Sequence, residues 1–244
     1  MGSQSGISLW SRILTGDGLR KSRFHTYSGR RIDAAGMLFL PRALWSTCLL
    51  KLFGYRQRRP WLGYRAVRYL DGLIQRDWNI LEFGSGMSSL FFAQRCRHLV
   101  SVESDPEWFA QMQKEFERRA VRNVDYRIRT EADYVIHPDL PAGTFDLVIV
   151  DGLVRDQAAV VAVEKVKPGG YVFYDNSDVP WSEFQAARQT LIEAAEEGGV
   201  RLFDDFCPFQ VQVNESMLVR IRREGRVGQA EVIDDSRAAP SLPR

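Results

Sequence analysis

Residues 79 to 89, Asn-Ile-Leu-Glu-Phe-Gly-Ser-Gly-Met-Ser-Ser, constrain the fold more than any other segment. An apolar run with an acid precedes a loop with two glycines, and small hydroxyl residues that suit a helix start follow it. Gly84 and Gly86 lack a Cβ atom, so the backbone can turn sharply and approach a ligand closely. The free N–H groups of the next helix face the same space. The segment predicts a strand, a tight turn and a helix that together hold a nucleotide-like cofactor, although such a glycine pair can also serve only to make a turn.

The glycine spacing disfavours a dinucleotide site. The Gly-x-Gly-x-x-Gly pattern needs a glycine at position 89, which is Ser89 in this chain. Glu82, two residues before Gly84, is a different signature, because its carboxylate can accept hydrogen bonds from loop N–H groups or from a ligand ammonium group. A nicotinamide-dependent oxidoreductase therefore stays an alternative that the motif does not favour.

A second acid follows at the expected distance. The run from 98 to 103 reads as a strand, and Glu103 at its end lies 19 residues after Gly84. An acid about 20 residues after the first glycine is placed to bind the two hydroxyls of a ribose. Glu103 could instead only help to start the next helix, where Ser104 and Glu107 form a possible capping box, and the two roles are compatible.

Four motifs together resemble the class I S-adenosylmethionine-dependent methyltransferases of the bacterial type. They are Glu82-Phe-Gly84-Ser-Gly86, Val102-Glu103, Phe145-Asp-Leu-Val-Ile-Val-Asp151-Gly and Lys167-Pro-Gly-Gly170-Tyr-Val-Phe-Tyr-Asp175-Asn176. The resemblance covers roughly residues 60 to 222, and Ser88 stands where the family often has a third glycine. It implies an S-adenosyl-L-methionine-dependent enzyme that methylates a small-molecule acceptor at oxygen.

The chain alternates strand-like and helix-like runs in the manner of an α/β protein. We expect a doubly wound, mostly parallel, seven-stranded Rossmann-like sheet with helices on both faces and an N-terminal helical extension. The wholly apolar run 147–150 predicts a central strand, and the alternating run 125–129 predicts an edge strand. The predicted strands are 79–83, 98–103, 125–129, 147–150, 169–175 and an antiparallel pair, 200–206 and 216–222.

The resemblance also implies a set of cofactor-binding residues at the carboxyl ends of the strands. Gly84, Ser85 and Gly86 would approach the amino-acid part of the cofactor, and Glu103 would bind its ribose. The turn after the third strand, with Glu131, Ala132 and Asp133, would contact the adenine. Glu82, Ser88 and Asp151 complete the implied set.

Asp151 and Asp175 are the candidate catalytic residues, because each ends a strand at the edge where the cofactor is expected. Asp151 could otherwise cap the following loop. With Asn176 the two acids resemble the metal site of the cation-dependent O-methyltransferases, which implies Mg²⁺ or another divalent cation. Asp175 could instead anchor the turn that follows it.

Other side chains are weaker candidates. His137, in an Ile-His-Pro loop, could reach the cleft and act as a base. Trp61, Tyr64 and Trp181 could form the wall of an aromatic acceptor site, and ordinary core packing explains each of them equally well.

The charge of the chain is lopsided. The 244 residues carry a net charge of +2, but residues 1–76 hold 14 Lys and Arg and 3 Asp and Glu, which leaves +11 there and −9 over the remainder. We expect a basic, partly helical N-terminal extension (1–59), a cofactor-binding domain (60–225) and a disordered tail (226–244). The basic part suits an anionic partner, or it is a solvated face beside an acidic domain.

The most apolar window, 34–55, contains Pro41, Arg42 and Lys51, so the sequence predicts no membrane span there. Residues 42–59, with Arg56 and its basic neighbours, could make peripheral contact with an anionic membrane. A helix buried over the catalytic domain is the preferred interpretation. A non-catalytic, membrane-associated module that keeps the cofactor fold is a further alternative.

Cys48, Cys96 and Cys207 fit neither a metal-ligand spacing nor a disulfide framework, which favours a reducing compartment, the cytoplasm. No basic motif interleaved with aromatic residues suggests RNA binding, so nucleic acid is not the expected partner, although the charge asymmetry leaves it open.

Overall fold

The computed structural model describes residues 19–55, 57–223 and, for the backbone alone, 232–233. These residues form one mixed sheet with the strand order β3-β2-β1-β4-β5-β7-β6-β8. The strands are β1 (Asn79–Phe83), β2 (His98–Glu103), β3 (Val124–Ile128), β4 (Phe145–Val150), β5 (Val166–Asp175), β6 (Ala195–Phe206), β7 (Val213–Ile221) and β8 (Val232–Ile233). The helices are α1 (Ala34–Met37), α2 (Leu40–Phe53), α3 (Tyr64–Leu73), α4 (Met87–Ala93), α5 (Pro106–Arg118), α6 (Arg155–Lys165) and α7 (Ser182–Ala194).

The predicted fold class is confirmed. Strands β1 to β5 are parallel, and β7 pairs antiparallel with both β5 and β6. The short β8 adds an eighth strand, parallel to β6, within the predicted disordered tail. The rest of that tail, 226–231 and 234–244, lies outside the described residues, as do residues 1–18 and Arg56.

Alternation along the central strand β4 explains why its run 147–150 is wholly apolar. Ile149 packs in a buried cluster with α3 and α4, which contribute Leu70 and Phe92. Its neighbours Val148 and Val150 pack in the cluster of α6 and α7 on the opposite face of the sheet. Because helices cover both faces, residues 147–150 of this strand are all buried.

The N-terminal segment 19–33 packs on the carboxyl end of β6 and the start of β7. The Arg30 guanidinium forms ion pairs of 2.6 Å with Asp204 and with Glu215, both of which are buried. The backbone N–H of Val213 donates to the Arg23 carbonyl oxygen at 2.9 Å. This part of the basic extension is therefore built into the domain, where its charge compensates buried carboxylates.

The expectation of a buried helix at 34–55 is wrong. Helix α2 buries only Ala43 and Ser46, so most of its surface faces outward. The stretch Ala34–Phe53, which spans α1 and α2, has 20 residues and a mean hydropathy of 1.2, and 17% of its most apolar 18-residue window is buried, so by length and composition it suffices for a membrane-crossing helix. Pro41, Arg42 and Lys51 do not bring it below that limit, contrary to the sequence argument, although core helices and signal sequences meet the same criterion.

Candidate active site

A pocket of about 730 Å³ opens at the carboxyl ends of the parallel strands. It lies where the strand order reverses between β1 and β4, which is the usual ligand site of an open α/β sheet. Its volume falls within the range of about 300–1,000 Å³ that is typical of small-molecule sites. Most of the predicted site residues line it: Gly84, Ser85, Gly86, Ser88, Glu103, Asp151, Asp175 and Asn176.

In the loop after β1, a glycine is needed at position 84 but not for backbone conformation at position 86. Gly84 has φ = +98°, and a Cβ there would lie 2.7 Å from the backbone of Asp151 and of Gly152. Gly86 has φ = 179°, an extended backbone that any residue adopts, and a Cβ there meets only Ser88 Oγ, at 3.7 Å. Gly84 is thus required by conformation and packing, whereas Gly86 keeps open space beside the pocket.

Glu82 forms hydrogen bonds with the serines that follow the glycine loop, and it does not line the pocket. Its buried carboxylate accepts hydrogen bonds of 2.7 Å from Ser88 Oγ and from Ser101 Oγ, and a shorter one from Ser89 Oγ. Burial raises the pKa of the Glu82 carboxyl to about 7, although the three hydroxyls oppose this shift. The structure therefore gives Glu82 a role in positioning the loop, in place of the predicted contact with a ligand.

We predict that Glu82→Gln weakens the pH dependence of stability. An acid whose folded-state pKa is raised from 4.5 to about 7 makes the folded state less stable as pH rises through that window. The wild type should lose on the order of 3 kcal/mol of unfolding free energy between pH 4.5 and pH 7 through this group, and the variant should not. Urea denaturation at several pH values measures the difference. The exposed Glu117→Gln is the control, and an unchanged pH dependence in Glu82→Gln would contradict the assignment.

Glu103 faces the pocket in a fixed orientation. Its carboxylate accepts hydrogen bonds from Ser85 Oγ at 2.7 Å and from the backbone N–H groups of Ser104 and Asp105 at 2.7 and 2.9 Å. The role at the start of the helix is confirmed, since these two N–H groups open α5, and ribose binding by Glu103 stays a prediction. The helix cap itself is Asp105, which accepts from the N–H groups of Glu107 and Trp108, and not the predicted Ser104.

The residues that were predicted to contact the adenine lie outside the pocket. Ala132 and Asp133 are exposed on the 3₁₀ turn Glu131–Asp133 and do not line the pocket. The wall beside Glu103 is formed instead by Trp108 and Leu153. The indole N–H of Trp108 donates to the Ser85 carbonyl oxygen at 2.9 Å, which holds its ring against the glycine loop.

The predicted metal ligands surround a guanidinium group. Arg155 donates to Asp151 Oδ1 at 3.1 Å, to Asn176 Oδ1 at 3.4 Å and to the Asp175 carbonyl oxygen. Asp175 Oδ1 accepts from Ser216 Oγ at 2.6 Å. The positive charge that a divalent cation would bring is already supplied by Arg155, so these residues do not fit a metal site. Within the described part of the chain, no group of three or more His, Cys, Asp or Glu is arranged to hold a metal ion.

The carboxyl groups of Asp151 and Asp175 both have raised pKa values. Burial raises the pKa of both carboxyls, and the nearby charge of Asp175 raises the pKa of Asp151 further. The Arg155 guanidinium opposes these shifts. The Asp151 side chain is 25% exposed and reaches the pocket, so it is the more accessible of the two carboxylates.

His137 is not placed to act as a base, so that prediction is wrong. It is buried outside the pocket, its Nε2–H donates to the Tyr134 carbonyl oxygen at 3.0 Å, and burial lowers its pKa. Tyr64 stacks on Phe39, away from the pocket, with ring centroids 5.5 Å apart. Trp61 and Trp181, in contrast, line the pocket as the sequence suggested.

Sequence reasoning missed the wall opposite the sheet. This wall comes from the N-terminal segment and the connection between β6 and β7, which contribute Arg20, Tyr27, Cys207, Phe209, Gln210 and Gln212. The Arg20 guanidinium lies 3.7 Å from the centroid of the Tyr27 ring. The only signal in the sequence was the basic charge of the segment, which does not indicate where it packs.

No protein-family model matches the chain. A curated relative, the ribosomal protein L11 methyltransferase of Paraburkholderia phymatum, is 27% identical over 111 residues, which are 43% of this chain and 34% of the relative. The chain therefore spans about a third of the length of the curated relative that it matches.

Solved structures of methyltransferases resemble the fold. The O-methyltransferase TomG of Streptomyces achromogenes, solved with S-adenosylmethionine, is 18% identical with a TM-score of 0.52, covering 78% of this chain and 96% of TomG. A putative O-methyltransferase of Klebsiella pneumoniae is 17% identical with a TM-score of 0.52, covering 75% and 89%. The N-methyltransferase NodS of Bradyrhizobium japonicum is 15% identical with a TM-score of 0.51, covering 65% and 94%. The chain has the class I methyltransferase fold, as the motifs predicted.

Proposed function

We propose that the chain is an S-adenosyl-L-methionine-dependent methyltransferase that acts on a small-molecule acceptor at oxygen. The observation that carries the proposal is the Glu103 carboxylate, which three hydrogen bonds hold at the pocket edge beside the Gly84 loop. When bound, S-adenosylmethionine supplies a methyl group activated by a sulfonium. The neighbours TomG and NodS methylate oxygen and nitrogen respectively, as their names state, so the choice of oxygen is part of the proposal.

The chain's own residues are arranged to bind such a molecule. The Gly84–Gly86 loop leaves room for its amino-acid part, and Glu103 Oε2, which accepts one hydrogen bond from Ser85 Oγ, can accept a second one from a ribose hydroxyl. Trp108 offers an aromatic edge for the adenine beside them. Holding two reactants in line in such a pocket can lower a barrier by about 7–11 kcal/mol.

The acceptor would occupy the remaining space under the N-terminal segment. Tyr27, Trp61, Trp181 and Phe209 line this part and suit a flat, partly apolar molecule. A hydroxyl acceptor must lose its proton as the methyl group is transferred, and Asp151 is the carboxylate that reaches this space. Asp175 accepts a hydrogen bond from Ser216 and would act indirectly, because its charge raises the pKa of Asp151.

Calorimetric titration with S-adenosylmethionine and with NADH tests the proposal. We expect the first to bind and the second not to bind, and NADH binding alone would support the oxidoreductase alternative. Glu103→Gln should weaken S-adenosylmethionine binding by about 10- to 100-fold, because hydrogen bonds to a charged group contribute about 1.5–3 kcal/mol. Glu107→Gln changes an exposed residue in the first turn of α5 and is the matched control. This variant should bind S-adenosylmethionine as tightly as the wild type.

We predict that chelation does not affect turnover. Since Arg155 occupies the centre of the predicted metal ligands, methyl transfer should proceed at the same rate in EDTA and in Mg²⁺. Measurement of methyl transfer after extensive dialysis against chelator decides this point. Loss of activity in chelator with recovery in Mg²⁺ would restore the metal proposal.

The acceptor itself is found by incubating labelled cofactor with extracts and identifying labelled products by mass spectrometry. We expect a labelled small molecule, in keeping with a cytoplasmic enzyme. Because the curated relative is named for a ribosomal protein, purified ribosomes belong in the screen. Label found only on ribosomes would overturn the small-molecule part of the proposal and leave the methyl-transfer part intact.

A further inference from the structure

Helix α2 buries two small residues against the domain and exposes four large apolar ones, Leu44, Trp45, Leu52 and Phe53. Ala43 and Ser46 are buried, together with Gly36 of the preceding α1. The outward residues form what we call the α2 surface: Leu38 (78% exposed), Leu44 (46%), Trp45 (64%), Leu52 (72%) and Phe53 (75%). An ordinary surface helix has the opposite pattern, with apolar residues inward. Contiguous exposed apolar groups of this kind mark an interaction site.

The α2 surface is continuous along the helix. Residues 41, 45, 48 and 52 of α2 follow each other at steps of four and three, which places them in one stripe, and each of them is exposed. Tyr55 and Trp61, which follow the helix, are 58% and 48% exposed. Tyr and Trp are the side chains that favour the boundary between water and an apolar phase.

The segment of the chain that carries the α2 surface is basic. Between residues 34 and 70 the sequence has seven Lys and Arg and no Asp or Glu. Arg42 and Lys51 are exposed on the helix itself, and Arg58 and Arg59 are exposed after it. An apolar stripe edged by positive charge complements an anionic bilayer. Two copies of such a surface would repel each other, which disfavours self-association through it.

The buried side of the helix is fixed to the domain. Ser46 Oγ accepts from the backbone N–H of Phe209 at 3.0 Å. Asp33, which caps α1, forms a 2.9 Å ion pair with Arg65 of α3. A helix held in this way on one side cannot be surrounded by lipid, so it is placed to lie on a membrane and not to cross it.

We propose that the α2 surface docks the protein peripherally on an anionic membrane. Docking would bring the pocket close to the bilayer, because Ser46 of α2 accepts a hydrogen bond from Phe209, which lines the pocket, as do Arg59 and Trp61 shortly after the helix. An acceptor that partitions into the bilayer would then reach the pocket from the membrane. The docking is independent of the proposed methyl transfer, since neither the stripe nor the basic residues depend on a cofactor.

Vesicle flotation of the full chain tests the docking. We expect the protein to float with vesicles of phosphatidylcholine mixed with phosphatidylglycerol, and to stay behind with phosphatidylcholine alone. The combined substitutions Trp45→Ser, Leu52→Ser and Phe53→Ser should lower the partition coefficient by at least about tenfold. Arg42→Gln and Lys51→Gln should each lower it about fivefold on the anionic vesicles.

Matched controls change similar groups elsewhere on the surface. Ile136→Ser with Val160→Ser removes exposed apolar side chains far along the chain, and Lys114→Gln with Arg122→Gln removes exposed charges. Both should float like the wild type, and melting temperatures check that every variant is folded.

Three results would overturn the proposal. One is a wild type that does not float, and another is an apolar triple variant that floats normally. The third is a protein that alkaline carbonate fails to release from membranes, since this would indicate a crossing helix.

Discussion

Gly84→Ala is expected to lower the free energy of unfolding by about 2–4 kcal/mol and to abolish measurable binding of S-adenosylmethionine. Two effects combine at this position. An alanine at φ = +98° is strained, and its Cβ would lie 2.7 Å from the backbone of Asp151 and of Gly152, neither of which can move without distorting β4. The same displacement would shift the end of the strand that carries Asp151 and would close the space that the loop leaves for the cofactor.

Gly86→Ala is the matched control for this experiment. The backbone there is extended, and the nearest atom to an added Cβ is Ser88 Oγ at 3.7 Å, an ordinary contact. We expect its free energy of unfolding to stay within about 1 kcal/mol of the wild type. Urea denaturation with calorimetry of cofactor binding separates the two variants. Equal stability and normal binding in Gly84→Ala would show that the loop does not form this site.

The strands nearest the site were the easiest part to predict. The bounds of β1 and β2 agree with the sequence prediction because each apolar run ends abruptly at a turn or an acid. Predicted β5 began at 169, whereas the strand starts at Val166, with an irregular pairing between Phe145 and Leu147 opposite. Such irregularities depend on the partner strand and leave no local signal.

The functions of single site residues were harder to predict, because their partners come from distant elements. Glu82 looked like a ligand group, but Ser88, Ser89 and Ser101 enclose it, and the last of these belongs to the neighbouring strand. The motifs of Asp151 and Asn176 are typical of metal ligands. These motifs do not indicate that Arg155 donates hydrogen bonds to both side chains. That arginine lies four residues after Asp151, so an i, i+4 pair was the one available indication.

The orientation of α2 shows a different limit. The composition of residues 34–55 predicts an apolar helix with a few basic residues. Leucines are usually buried, so the sequence favours burial of this helix. Which face a helix buries depends on the surface it packs against. Here Ala43 packs in a cluster with Phe206, and Ser46 contacts Phe209, so the larger side chains are left outside.

Asp151→Asn is expected to lower kcat by about 10²- to 10⁴-fold while cofactor binding changes little, because it removes the proposed base. The asparagine keeps an oxygen for the Arg155 hydrogen bond, so the fold should be retained. In the wild type, activity should increase with pH above the ordinary carboxyl range, since burial and the Asp175 charge raise the pKa of Asp151 and the base must be ionised. That increase should be absent in the variant.

Asp175→Asn distinguishes a base from a merely structural carboxylate. Removal of the Asp175 charge takes away one cause of the raised Asp151 pKa, so the increase of activity should move to lower pH and not disappear. The substitution keeps an oxygen that can accept from Ser216. Profiles of kcat against pH for the two variants and the wild type provide the measurement. If Asp151→Asn retains the wild-type rate and profile, the proton of the acceptor leaves by another route, and Asp151 serves only to hold Arg155.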